Sequence, residues 1–204
     1  SDGSIDFDRL RKEAIDTKPR MVLCGYTSYP RDIDYARFKE IADEVGAITM
    51  TDASHFGGLV AGGVMNNPFD FGFDVVTTTT HKSLRGPRGG LVLCRKKFAT
   101  RIDKSVFPGL QGGPHMNAVA AIAVTLQKAE TDEFQDYARQ VLVSAKALAK
   151  CLMDNQVSLI TGGTDNHMMV MDTVASFGLD GRVAEEALDR VWITTNKQII
   201  PDDP

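Results

Sequence analysis

One lysine in this chain stands where an amine could meet an electrophile. Asp74-Val75-Val76 runs into Thr77 to Thr80 and then His81-Lys82, an apolar, β-branched segment that suits a strand buried in a sheet. The strand is expected to end at His81-Lys82, because Ser83-Leu84-Arg85-Gly86-Pro87-Arg88-Gly89-Gly90 follows. Its proline lacks an amide donor and its glycines permit unusual backbone angles, so a loop is forced. Ligands of open α/β sheets collect at the carboxyl ends of strands, which makes Lys82 a candidate to offer its amine to a bound aldehyde. Taken alone, a strand-end lysine reads more often as a solvated turn residue; the surrounding residues reverse that weighting.

A second constellation follows the apolar run Ala47 to Thr51: Asp52, with His55 three residues on. Without Lys82 this pair reads as a strand-end cap or half of a metal site. His81, His115 and His167 add no ligand spacing, so no metal is expected. Thr27, in the loop Gly25 to Pro30, offers a hydroxyl, and Asn196 an amide that both donates and accepts. Gly112-Gly113 is by itself weak evidence for anything beyond a turn.

The elements that must position these residues read as strand, helix, strand. Phe7, Leu10, Ala14 and Ile15 have helical spacing over Asp6 to Lys18, and Met21 to Cys24 is a short strand. Phe38, Ile41, Ala42 and Val45 share one face of a helix over Asp34 to Val45, stopped by Gly46. Strands are expected at Ala47 to Thr51, Val75 to Thr80 and Leu91 to Cys94. The alternation favours a mostly parallel sheet covered by helices, with Gly25, Asp52 and Lys82 along one edge. Asn117 to Lys128 and Asp132 to Met153 are alanine-rich and helical. Beyond Asn155, strands at Val157 to Thr161, Met168 to Asp172 and Trp192 to Thr195, with a helix at Arg182 to Arg190, read as α+β.

Of the 204 residues 43% are hydrophobic and 25% charged, the composition of a globular protein of one domain or slightly more. A net charge of −4 with scattered basic residues excludes an electrostatic footprint for nucleic acid, and no apolar run has the roughly twenty residues of a membrane helix. Cys24, Cys94 and Cys151, odd in number and widely spaced, fit neither a disulfide framework nor a zinc ribbon. A reducing compartment is expected, and with no signal-peptide pattern at the start we expect a cytoplasmic location.

The run Thr77 to Gly90 resembles the cofactor-lysine segment of serine hydroxymethyltransferase. The resemblance continues through Thr51-Asp52-Ala53-Ser54-His55, Phe107 to Pro114, Gly162 to His167 and Asn196 to Pro201, in the family's order. It implies an α/β fold: the large domain of a fold-type-I pyridoxal-phosphate-dependent transferase over 1–130, its mostly parallel sheet incomplete. A connecting helix and the first part of a smaller α+β C-terminal domain then occupy 131–204. Against the family, the chain is expected to be an interior fragment lacking the N-terminal portion and the C-terminal end, and inactive alone.

By the resemblance, Lys82 carries the aldehyde of pyridoxal 5'-phosphate, Asp52 pairs with its ring nitrogen and His55 lies near its ring and hydroxyl. His81 either assists proton transfer or packs. Thr27, where the family often has serine, serves the ring hydroxyl, and Arg88 stands near the cofactor or fixes its loop. Gly112 and Gly113 bring amides to the phosphate from a neighbouring subunit, and Leu110 replaces a common glycine. Asn196 matches a position near the pterin of tetrahydrofolate. The implied reaction converts serine and tetrahydrofolate to glycine and methylenetetrahydrofolate in a homodimer with shared sites. Two alternatives stand beside it: another fold-type-I enzyme such as a threonine aldolase, and a non-catalytic dimerising fragment.

Overall fold

The computed structural model describes residues 2–201. These fall into two compact units, a sheet unit of residues 6–27 and 32–139, and a second unit of residues 2–5, 28–31 and 140–201.

The sheet unit opens with α1 (Phe7–Thr17), whose N-cap Asp6 accepts from the Arg9 amide and whose last turn closes on a left-handed Lys18. Strand β1 (Met21–Cys24) follows, then α2 (Tyr35–Glu44), capped by Asp34 through the Arg37 amide. The buried face of α2 is Tyr35, Phe38, Ile41 and Ala42, the stripe read from helical spacing, and each large side chain so buried contributes roughly 1.5–3 kcal/mol. Phe38 meets Phe7 of α1 edge to face at 5.2 Å, and Tyr35 meets Phe73 at 5.1 Å. Next come β2 (Ile48–Asp52), α3 (Gly57–Ala61), a 3-10 turn at Pro68–Phe71, β3 (Val75–Thr79) and β4 (Gly90–Cys94).

Sheet order is β1-β2-β3-β4, with the first two pairings parallel and the third antiparallel. The helical connections permit the parallel pairs, whereas the short 80–89 connection carries no crossover helix and leaves only an antiparallel return. The β2 and β3 strands are further tied by Asp74, which is 8% exposed. One of its carboxylate oxygens accepts from the Thr49 amide at 3.1 Å and the Thr49 hydroxyl at 3.3 Å, the other pairs with Lys97 at 2.8 Å. Beneath the sheet Cys24 is fully buried against the Thr51 hydroxyl, and burial pushes its thiol up to about 12, so this cysteine is an inert packing residue.

Beyond β4 the chain forms α4 (Lys96–Lys104) and the π turn Ser105–Leu110, neither of which periodicity predicts. The expected alanine-rich helices are α5 (Met116–Ala129) and α6 (Asp132–Asp154). Leu84 of the Lys82 loop packs with Ala129 and Phe134, which seats that loop on the helical layer.

In the second unit, Ala149, Val157 and Leu159 form a small core with Leu152, Met169 and Met171. The expected strands Val157 to Thr161 and Met168 to Asp172 reduce to one antiparallel bridge, Leu159 with Met171. Thr161 takes a left-handed φ of 63°, and its carbonyl and hydroxyl are both engaged by Arg31, so the ladder cannot extend past it. Helix α7 (Thr173–Phe177) follows, then α8 (Gly181–Asp189), close to the expected Arg182 to Arg190. The expected strand Trp192 to Thr195 is absent. Trp192, also left-handed at φ 65°, donates its amide to Asp189, and Ile193 donates to Leu188; these donors finish α8 and are lost to any ladder.

Candidate functional site

The register that pairs Cys24 with Thr51 and Asp52 with Thr77 brings Gly25 and Asp52 to the same carboxyl edge of the sheet. Gly25 has φ 101°, and a Cβ there would stand 2.1 Å from the Asp52 carbonyl oxygen, so only glycine allows β1 to leave the sheet so close to β2. Asp52 is half-buried, and its Oδ1 accepts from the Ser54 amide at 3.0 Å and the Ser54 hydroxyl at 2.5 Å. This is an Asx-type turn, and it swings the chain so that His55 follows at the edge. The neighbouring strand secures the turn: the Ala53 amide donates to the Thr77 carbonyl at 2.7 Å and the Thr79 hydroxyl to the Ser54 carbonyl at 3.0 Å.

The lysine loop is built against the same turn. Strand β3 ends at Thr79, not at His81-Lys82 as expected, because the chain folds back on Thr80. The Gly86 amide donates to the Thr80 carbonyl at 2.7 Å, the Thr80 hydroxyl to the Pro87 carbonyl at 2.6 Å, and the Arg85 amide closes a turn on the Lys82 carbonyl at 2.9 Å. Lys82 therefore heads a tight turn instead of ending a strand. Ser83 accepts from the Gly58 amide at 2.9 Å, and a Cβ on Gly58 would stand 2.2 Å from the Ser83 carbonyl oxygen. The start of α3 and the Lys82 turn thus meet backbone to backbone.

The two turns together place Lys82 Nζ 3.0 Å from His55 Nε2. Burial, and next the positive charge of Lys82, hold His55 below the ordinary histidine value, against a smaller opposing pull from Asp52. The neutral ring this favours can accept from the ammonium. His81 Nε2 lies 3.4 Å from an Arg88 nitrogen, and His81 Nδ1 is buried with no partner among the described residues.

The remaining site residues singled out in the sequence are all exposed. Thr27 is exposed in a turn after β1, and Gly112 and Gly113 are exposed between the π turn and α5. Asn196 is exposed in the second unit. Periodicity and motif reading missed Ser54, Thr79, Thr80, Ser83 and the glycine pair Gly57-Gly58. The Asp-x-Ser spacing of Asp52 and Ser54 is an Asx-turn signal that could have revealed the first of these. Among the described residues no helix is long and apolar enough to cross a membrane.

The serine hydroxymethyltransferase family model matches residues 1–204. The chain belongs to the serine hydroxymethyltransferase family. It is also 49% identical over 202 residues to serine hydroxymethyltransferase of Desulfotalea psychrophila, covering 99% of this chain and 47% of that protein. The chain thus spans about half the length of the curated relative it matches.

Serine hydroxymethyltransferases depend on pyridoxal phosphate, and the residues of this sheet edge fit that group chemically. An exposed lysine amine stands beside a histidine ring whose neutral form is favoured, and a half-buried carboxylate lies three residues before that histidine. These are the donor and acceptor types that an aldehyde, a pyridine nitrogen and a ring hydroxyl require.

Proposed function

We propose that this chain contributes the cofactor lysine and its partners to a serine hydroxymethyltransferase that interconverts serine and glycine with tetrahydrofolate as the one-carbon acceptor. The observation that carries the reading is the convergence of Lys82, His55 and Asp52 on one sheet edge, with Lys82 Nζ at 3.0 Å from His55 Nε2. Bound there, pyridoxal phosphate supplies an electron sink for a bond broken at the substrate α-carbon.

The chain's own residues have separable tasks in this reading. Lys82 would hold the cofactor through its side-chain nitrogen, which must first give up its ammonium proton. His55, favoured as a neutral ring, orients that nitrogen as an acceptor. Asp52, its Oδ1 held by Ser54, keeps a proton on the ring nitrogen by charge pairing. Thr27 serves the ring hydroxyl. The amides of Gly112 and Gly113 reach the phosphate from a second copy in a homodimer, and Asn196 meets the pterin edge. In the same reading, 1–130 belong to the cofactor-binding large domain, 131–204 to a connecting helix and the start of the small domain, and the protein works in the cytoplasm.

Borohydride reduction of the chain with pyridoxal phosphate, followed by peptide mapping, tests the assignment. The pyridoxyl group should be found on Lys82, and replacing Asp52→Asn should leave the label in place while altering the cofactor's absorbance. A label on Lys96, Lys97 or Lys104 in place of Lys82 would sink the reading.

A further inference from the structure

His81 and Arg88 belong to the lysine loop, and the sequence leaves the histidine two roles, proton transfer or packing. The geometry discriminates between them. Arg88 NH1 lies 3.4 Å from His81 Nε2, and a guanidinium has donors only and keeps its charge at every accessible pH. Nε2 must therefore supply its lone pair to Arg88. A neutral imidazole with Nε2 as acceptor carries its proton on Nδ1. His81 Nδ1 is closed to solvent and meets no partner among the described residues. A doubly protonated ring would have no lone pair for Arg88 and would set a cation against the guanidinium, with Lys82 the next residue along the chain.

We propose that Arg88 is a positioning residue that locks His81 as the Nδ1–H tautomer. Both nitrogens are then committed, one lone pair to Arg88 and one proton facing inward, so His81 has no free lone pair with which to act as a base. Its work is to hold the first residue of the Lys82 turn at a fixed place beside β3, with Arg88 reaching back across the loop. This rests on the reading of the loop as the cofactor site only for its bearing on Lys82; the tautomer belongs to the chain itself.

Long-range proton–nitrogen NMR correlation on the uniformly 15N-labelled chain at neutral pH reads the tautomer directly, with His81→Asn identifying the ring's signals. We expect a protonated Nδ1 and an unprotonated Nε2, in about tenfold excess or more over the other tautomer, since hydrogen bonds to charged groups are the strong ones. In Arg88→Met the preference should collapse and Nε2–H should emerge, while Arg88→Lys, which restores a cationic donor, should recover part of it. Arg88 is exposed, and urea midpoints of both variants separate a tautomer change from unfolding. A His81 ring protonated at Nε2 or at both nitrogens in the parent chain overturns the proposal, as does a tautomer ratio that Arg88→Met leaves unchanged. Borohydride labelling of Lys82 is scored separately: loss of that label with the tautomer as expected removes the cofactor reading and leaves this one, and the converse removes only this one.

Discussion

Two glycine-rich loops of the sheet unit look alike as strings and behave as opposites. In the lysine loop a Cβ on Gly86 would stand 2.7 Å from the Thr80 carbonyl oxygen and 2.8 Å from the Thr125 hydroxyl, and one on Gly89 would stand 3.0 Å from Ile122. Helix α5 and the end of β3 are pressed into the space that a side chain would occupy. Around Gly112 and Gly113 nothing lies within 4 Å of where a Cβ would be, and the flanking Phe107 and Leu110 are 62% and 88% exposed. The first loop uses glycine to bring its own backbone against its neighbours. The second leaves that space empty. Glycine enrichment by itself therefore does not signal close approach; only the three-dimensional packing tells which loop's glycines are pressed by a neighbour.

Breaking the tight loop should have the largest effect. Gly86→Ala places a methyl against a backbone oxygen and a β-branched side chain, neither of which can swing aside, so we expect a loss of stability of about 1–3 kcal/mol. The urea midpoint should fall at an unchanged slope. An unmoved midpoint would mean that Thr80 and α5 do not clamp this loop.

The next effect sharpens the comparison by testing the strand that carries the tight loop. Burial disfavours the Asp74 carboxylate, but the Lys97 bond and the Thr49 amide and hydroxyl outweigh it and hold the carboxyl below its ordinary value. In the unfolded chain an aspartate titrates near about 3.9. The folded form thus binds its proton at lower pH than the unfolded form does. The stabilisation is fully present above that unfolded value and is lost as pH falls through the folded one. Asp74→Asn should cost about 1–2 kcal/mol at neutral pH, within the range of hydrogen bonds to charged groups. The difference between parent and variant should shrink in acid unfolding series below about pH 4. A difference that stays constant to pH 2 would show that the carboxylate charge does not matter.

The smallest effect belongs to the open loop. Gly112→Ala should leave the midpoint within about 0.5 kcal/mol of the parent, with any shift toward stability because the unfolded chain loses freedom. In the proposed function the same methyl impedes the phosphate, so pyridoxyl labelling of Lys82 should fall at fixed cofactor concentration. A stability loss equal to that of Gly86→Ala would erase the contrast between the loops.

By itself the sequence determined the local features whose causes are local. The apolar face of α2, the caps Asp6 and Asp34, the alanine-rich α5 and α6, and the β-branched run of β3 are each dictated by spacing and side-chain chemistry within a few residues. The motif that carries Lys82, and with it the family, was legible for the same reason. Where strands stop was not legible, because a strand is made by its partner. Thr80 turns out of β3 to meet Gly86 and Pro87, Thr161 is captured by Arg31, and Trp192 gives its amide to α8, so β3 stops at Thr79, short of Lys82, and the strands expected in the second unit reduce to a single bridge or vanish. Tertiary structure alone also decided the site's chemistry. The 3.0 Å between Lys82 and His55 depends on two turns separated in sequence, one wound by Ser54 on Asp52 and the other by Thr80 on Gly86. A hydrogen bond across such a gap is set by the docking of both turns on the shared edge of β2 and β3, which no local pattern encodes.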